Sequence, residues 1–316
     1  MPQSNKIVCV VGPTACGKTK LGIELAKKFH GEVVSADSMQ IYRGMTIGTA
    51  APTEEEMEGI PHHMIAIADP REPYSVARFV EEATACVDDI LARKKLPIVV
   101  GGTGLYLDAL VAGRSFAQGE STGKTRRMLK DRLETEGIEA LHAELTRIDP
   151  TAAARLHVND EKRILRALEI YYETGKTITE HDEESKKIPP RYDAVYIGLA
   201  FEDRADMREL IDRRVDVMMA QGLVDEVKAL VNSGVSRETT ALQAIGYKEL
   251  LSALDGGRSM EEAVEEVKLR SRQYAKRQLT WLRRNDAIHW IFWKKERDFP
   301  HALQISTDIL VSEGLG

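Results

Sequence analysis

Residues 6–29 read KIVCVVGPTACGKTKLGIELAKKF, and this stretch decides the fold. Lys6–Val11 is a short apolar run rich in β-branched residues and stopped by Gly-Pro, the pattern of a buried strand in a parallel sheet. Gly12-Pro13-Thr14-Ala15-Cys16-Gly17-Lys18-Thr19 then fits G-x-x-x-x-G-K-[ST], and a helical pattern follows from Thr19. A strand before this spacing and a helix after it are the context a phosphate-binding loop requires. Its glycines let several backbone N–H groups converge on phosphate oxygens, and the helix N-terminus adds partial positive charge. Lys18 is expected to reach the outer phosphates and the Thr19 hydroxyl to hold Mg²⁺. The bland alternative is a tight glycine turn with no ligand. The loop specifies a polyphosphate without specifying ATP.

Working outward, Glu32–Asp37 reads as a second strand, 75–93 as a helix and Leu96–Val100 as a third strand closed by Gly101-Gly102-Thr103-Gly104. Strand–helix alternation predicts an α/β, P-loop NTPase-like core with a parallel sheet and helices on both faces. From about Ser115 the texture becomes charged and helix-periodic, and strand-like runs return only at 194–200 and 288–293. The expected division is a core of 1–115 and 195–316 around an all-helical insertion, 116–194. The acidic stretch 180–184 reads as a solvated linker. The chain has 316 residues, 43% of them apolar, and a net charge of −6, so any nucleic-acid surface must be a local patch. No run approaches the roughly 18 apolar residues of a membrane helix. Met1–Lys6 lacks the blocks of a signal peptide, so a cytoplasmic protein is expected. Three cysteines, Cys9, Cys16 and Cys86, exclude a disulfide framework.

Other residues are open to two readings. Gly101–Gly104 is either a plain strand-to-helix turn or a second ligand-facing loop that puts Thr103 over the ligand. Asp37, at the same edge of the sheet, can accept a proton from a nucleophile, sit in a Mg²⁺ shell, or merely cap a helix. Between Lys268 and Arg284 lie seven Lys or Arg and no acid. On a helical projection Val264, Val267, Tyr274, Ala275, Trp281 and Leu282 share one arc. Arg270, Arg277 and Arg284 form one cationic ridge, and Arg272, Lys276 and Arg283 another. Such rows suit a phosphodiester backbone, unless Glu261–Glu266 or other acids neutralise them. His62-His63 has no nearby partner at metal-ligand spacing, and a structural role is expected.

With these pieces in hand, the chain resembles the tRNA dimethylallyltransferases, also called tRNA isopentenyltransferases. The resemblance rests on GPTACGKT at 12–19, SADSMQIYRGMTIGTA at 35–50, PHHMIAIADP at 61–70 and GGTGLYLDAL at 101–110. It continues through VNDEKRILRALEIYYETGKT at 158–177, DRRVDVMMAQGLVDEV at 212–227, QAIGYKE at 243–249 and RQYAKRQLTWLRR at 272–284. Cys16 stands where a residue such as serine would be as familiar, and 118–127 matches weakly. The resemblance implies transfer of a dimethylallyl group from dimethylallyl pyrophosphate to N6 of the adenosine immediately 3′ of the anticodon, in tRNAs reading codons that begin with U. It implies that residues 12–19 grip the donor pyrophosphate, although such loops are often described as ATP-binding, with Lys18, Arg214 and Mg²⁺ neutralising it. It gives Asp37 the proton of the acceptor amine and Thr103 a contact to the target nucleotide. It implies tRNA contacts at Asp37, Ser38, Met39, Gln40, Thr103, Arg126, Lys162, Arg163, Ile164, Leu165 and Arg166, beside Arg272, Lys276 and Arg277 of the basic helix. The expected partners are the tRNA anticodon stem-loop and the donor, with no membrane and the enzyme a monomer. A small-molecule kinase using ATP with Asp37 as base is the competing reading; a non-catalytic RNA-binding P-loop protein is a third.

Overall fold

The computed structural model describes residues 5–113 and 123–315. The expected boundary at 115–116 and the first four residues lie outside them. Among the described residues six strands, β1 (Lys6–Val11), β2 (Gly31–Ser35), β3 (His62–His63), β4 (Leu96–Gly101), β5 (Asp193–Phe201) and β6 (Ile288–Trp293), form one sheet in the order β3-β2-β4-β1-β5-β6. Every pairing is parallel, and Val8 of β1 lies between Ile98 and Val195. β1 is central and buried from Ile7 to Val11 because helices cover both faces. On one face Val8 and Val10 join Leu21 and Leu25 of helix Lys18–Lys28 and Ala302 and Leu310 of helix Phe299–Ser312. Elsewhere in this unit Phe79 of helix Val76–Ala92 stacks on Tyr106 of helix Gly104–Ala112, with centroids 4.2 Å apart.

β2 ends at Ser35, earlier than the sequence suggests. Asp37 Oδ1 accepts from Met39 N at 2.8 Å and Gln40 N at 3.3 Å, and this local turn competes with the ladder. The stretch 180–184 is no linker: it belongs to helix Ile178–Lys187. Thr177 and Glu180 form a reciprocal capping box there, which outweighs the repulsion of the acidic run.

The chain divides into two compact units, Met1–Gly113 with Arg191–Gly316, and Arg114–Pro190. The second is helical among its described residues and has its own apolar core of Leu129, Leu141, Leu145, Ile164, Leu165 and Leu168. Among the described residues no helix is long and apolar enough to cross a membrane.

Candidate active site

The C-terminal end of β1 runs into the phosphate loop, and the loop shape depends on its glycines. Gly12 has φ +153°, and a Cβ there would overlap the Leu199 carbonyl of β5. Gly17 has φ +90°, and a Cβ there would lie 2.7 Å from the Phe299 ring. Lys18 opens the following helix and folds its ammonium back onto the Pro13 carbonyl at 2.7 Å. Cys16 is buried, and burial pushes its thiol pKa up despite the neighbouring Lys18. It packs the loop as a neutral group. Its carbonyl accepts from Trp293 Nε1 of β6 at 2.8 Å.

A buried amide ties this loop to the second glycine cluster. Gln278 Oε1 accepts from Thr14 N at 2.9 Å, and its Nε2 donates to Gly102 O at 3.1 Å. Thr103 is the N-cap of helix Gly104–Ala112, and its Oγ1 lies 3.4 Å from Ser38 N. Burial, with Asp37 nearby, pushes the pKa of the Tyr274 hydroxyl up to about 12 against the opposing influence of Thr103, Arg277 and Gln278, so it remains protonated.

A cleft of about 870 Å³ opens at this edge of the sheet, lined among others by Lys18, Thr19, Asp37, Arg214, Tyr274 and Gln278. That is ample for a small phosphorylated ligand beside a second group. Arg214, on helix Arg204–Ala220, is partly buried; desolvation lowers its pKa, and the Asp37 carboxylate is foremost among the groups that pull it back. Among the described residues no carboxylate lies within ion-pair distance of Arg214 or Lys18. Half-buried cations without carboxylate partners are suited to an anionic ligand. Asp37 Oδ1 serves the turn, while Oδ2 takes no hydrogen bond among the described residues. Asp37 therefore closes a turn rather than capping a helix, since a turn occupies 38–41, and it lines the cleft. Thr19 and Asp37 offer hard oxygen donors at the same edge, and no cluster of three metal-ligating side chains occurs among the described residues.

The loop 46–50 forms another wall. Glu226 Oε2 accepts from Thr46 N and Ile47 N at 2.9 and 2.8 Å, and Oε1 from Gly48 N at 3.0 Å and the Tyr247 hydroxyl at 2.6 Å. Gln40 Nε2 bonds the Thr49 and Ala50 carbonyls, each at 3.3 Å, so this side chain holds the wall in place.

In the helical unit, Lys162, Arg163 and Arg166 are exposed, and Arg126 and Arg166 flank the buried Glu169 at 3.4 and 2.9 Å. Ile164 and Leu165 are corrected: they are 0% and 1% exposed in that unit's core, so their side chains cannot touch a tRNA. Helix Met260–Leu282 buries Ala263, Val267, Ala275, Gln278 and Leu282, while Lys276 and Arg277 are exposed. Arg272 is clamped by Asp212 at 2.5 and 2.6 Å, Lys268 by Asp216 and Glu265, and Arg270 by Glu266. The acids of helix Arg204–Ala220 thus neutralise part of the cationic face. His63 pairs with Glu32 at 2.8 Å and His62 Nδ1 meets Ile60 O at 2.8 Å. Sequence reading missed Gln278, Glu226 and Arg297 as site residues; the only signal was that Gln278 and Glu226 lie within the matching segments.

A model of the IPP transferase family matches residues 40–285, most of the chain. The chain belongs to this family. A second model, isopentenyl transferase, matches residues 5–67. The family member of Acetivibrio thermocellus named tRNA dimethylallyltransferase is 48% identical over 287 residues, 91% of each chain. The crystal structure of a full-length tRNA isopentenylpyrophosphate transferase from Bacillus halodurans is 42% identical with a TM-score of 0.73, covering 99% of this chain and 97% of that one. A eukaryotic dimethylallyltransferase acting on tRNA superposes with a TM-score of 0.84 at 34% identity, covering 98% and 80%. The family supports the transferase reading over the kinase.

Proposed function

We propose that this chain transfers a dimethylallyl group from dimethylallyl pyrophosphate to N6 of the adenosine immediately 3′ of the anticodon, in tRNAs reading codons that begin with U. The observation that carries the reading is one cleft lined by a phosphate loop, two cations without carboxylate partners and a carboxylate with an unused oxygen, in a member of the IPP transferase family. The backbone of residues 12–19 and the Lys18 and Arg214 charges hold the pyrophosphate. As the C1–O bond of the donor breaks, its electron pair leaves with pyrophosphate; the N6 lone pair forms the new C1–N bond, and Asp37 takes the N6 proton at Oδ2. Fixed cations around the departing group act where negative charge grows. Thr19 Oγ1, with Asp37 in the same cleft, suits Mg²⁺; the ion, when bound, neutralises the leaving charge. Thr103 and Tyr274 sit beside Asp37 and orient the acceptor.

The adenine must leave the anticodon-loop stack to enter a cleft, and its neighbours are read as single-stranded bases. Asp37–Gln40 supply that contact. Exposed Lys162, Arg163 and Arg166, with Arg126, serve the phosphates from the helical unit; Lys276 and Arg277 do so from the basic helix, while Arg272 is taken up by Asp212. The tRNA substrate sets a cytoplasmic site of action. The test incubates unmodified tRNA, Mg²⁺ and labelled donor with the protein, then digests the tRNA. N6-dimethylallyladenosine beside the anticodon is expected, and Asp37→Asn is expected to lower kcat about 10²- to 10⁴-fold with tRNA binding retained. Transfer of γ-phosphate from ATP to a small acceptor, with no prenylated adenosine, would reinstate the kinase.

A further inference from the structure

The family match ends at residue 285, yet the chain beyond it returns to the phosphate loop. β6 brings Trp293 against the Cys16 carbonyl, and four residues later Arg297 Nη1 donates to the Ala15 carbonyl at 3.4 Å. The Arg297 guanidinium lies 5.7 Å from the centre of the Phe299 ring, whose edge closes the space beside Gly17. Arg297 therefore lines the same cleft as Lys18, Thr19 and Arg214. Among the described residues it has no carboxylate within ion-pair distance, and its one polar contact is long for a guanidinium hydrogen bond.

Two features distinguish it from an ordinary exposed arginine. It shares the cleft with Arg214, and two like charges lining one cleft repel each other. An anion between like charges relieves that repulsion and gains two charge-assisted contacts. Its planar fork is also held near the loop by the ring of Phe299 and the Ala15 carbonyl, which reduces the ordering cost of binding.

We propose that Arg297 is a further pyrophosphate-binding residue, contacting the donor pyrophosphate and the leaving pyrophosphate together with Lys18 and Arg214. The assignment rests on the transferase reading for the identity of the donor, but the anion contact itself does not. In the reaction, Arg297 makes and breaks no covalent bond; it stabilises the pyrophosphate that carries away the electron pair of the C1–O bond.

The experiment titrates inorganic pyrophosphate with Mg²⁺ into the full chain and into Arg297→Gln, and measures turnover with tRNA and donor. Loss of one charge-assisted contact is expected to raise both the pyrophosphate Kd and the donor KM about tenfold. The KM for tRNA is expected to stay unchanged, and Arg297→Lys to recover part of the loss. Lys294→Gln removes a nearby exposed charge outside the cleft and is expected to change neither constant. An unchanged pyrophosphate Kd in Arg297→Gln overturns the proposal, even if the melting temperature or kcat falls, because that pattern marks a packing role. An equal effect from Lys294→Gln overturns it too, since a general field would then be at work. If the wild-type chain forms no prenylated adenosine while Arg297→Gln still weakens pyrophosphate binding, the contact stands and the transferase reading falls.

Discussion

Gln278 shows how much one side chain can organise. The residue is 6% exposed, and its amide is satisfied at both ends, by Thr14 N–H and Gly102 C=O. A Cβ on Gly102 would overlap the Gln278 amide, so the glycine makes room for this clamp. Gln278→Glu keeps an acceptor for Thr14 but turns the other end from donor to acceptor, facing a carbonyl, and puts negative charge behind the phosphate loop. It is expected to cost about 1–3 kcal/mol of stability, the usual penalty for a buried unsatisfied group. Donor KM should rise while the Kd for tRNA holds; urea denaturation and steady-state kinetics read the two effects, and a wild-type donor KM would remove the clamp from the binding machinery. The phosphate loop was legible because its chemistry is local: eight consecutive residues carry it. Gln278 was not, because its partners lie 264 and 176 positions away and nothing in its own spacing announces them. Asp37 sits between these cases. Position could not separate a helix cap from a cleft carboxylate; a turn and not a helix follows Asp37, so the helix cap is corrected, and the residue lines the cleft with Oδ1 spent on that turn.

At the scale of the element, the basic helix divides its charges between folding and the surface. Of the arc that helical periodicity predicts, Val267, Ala275 and Leu282 are buried, Val264 and Tyr274 are half-buried, and Trp281 is 38% exposed. Periodicity could not reveal that Asp212 and Asp216, on another helix, would take up Arg272 and Lys268. Lys276 and Arg277 have no carboxylate partner among the described residues, and Arg277 rests over the Tyr274 ring at 5.7 Å. Neutralising Lys276 and Arg277 together is therefore expected to flatten the slope of log K against log salt for tRNA by about 1.4–1.8, counting one phosphate for each. Arg272→Ala is expected to leave that slope almost unchanged and to cost up to about 1 kcal/mol of stability, as a partly exposed ion pair does. Filter binding across a salt series, beside thermal melts, separates the two classes. Equal slope changes for both would mean that Asp212 releases Arg272 to the RNA.

For the whole molecule, the break in sequence texture near residue 115 reflects a real difference in how the parts bury apolar surface. The sheet unit draws its core from runs such as Ile7–Val11, whereas the helical unit draws its own from spaced leucines and Ile164. That is why an isolated acidic stretch inside it was misread: Glu180 and Glu184 are spent on a cap and on a pair with Lys176, contacts that composition does not show. The chain leaves and re-enters the sheet unit at one place. Arg191 N and Tyr192 N both donate to the Val111 carbonyl, at 3.0 and 3.3 Å, and Arg191 packs beside Gly113. A short Gly/Ser linker replacing 115–189 therefore spans only a small gap and adds little loop-closure entropy. The shortened protein is expected to unfold cooperatively and to bind inorganic pyrophosphate with the Kd of the full chain, because every cleft residue named above belongs to the sheet unit. It is expected to lose tRNA modification, since Arg126, Lys162, Arg163 and Arg166 go with the deleted segment. Calorimetry and the labelled-donor assay decide the matter. Retained modification would confine tRNA recognition to the sheet unit and its basic helix; a lost pyrophosphate site would show that the helical unit helps to form the cleft.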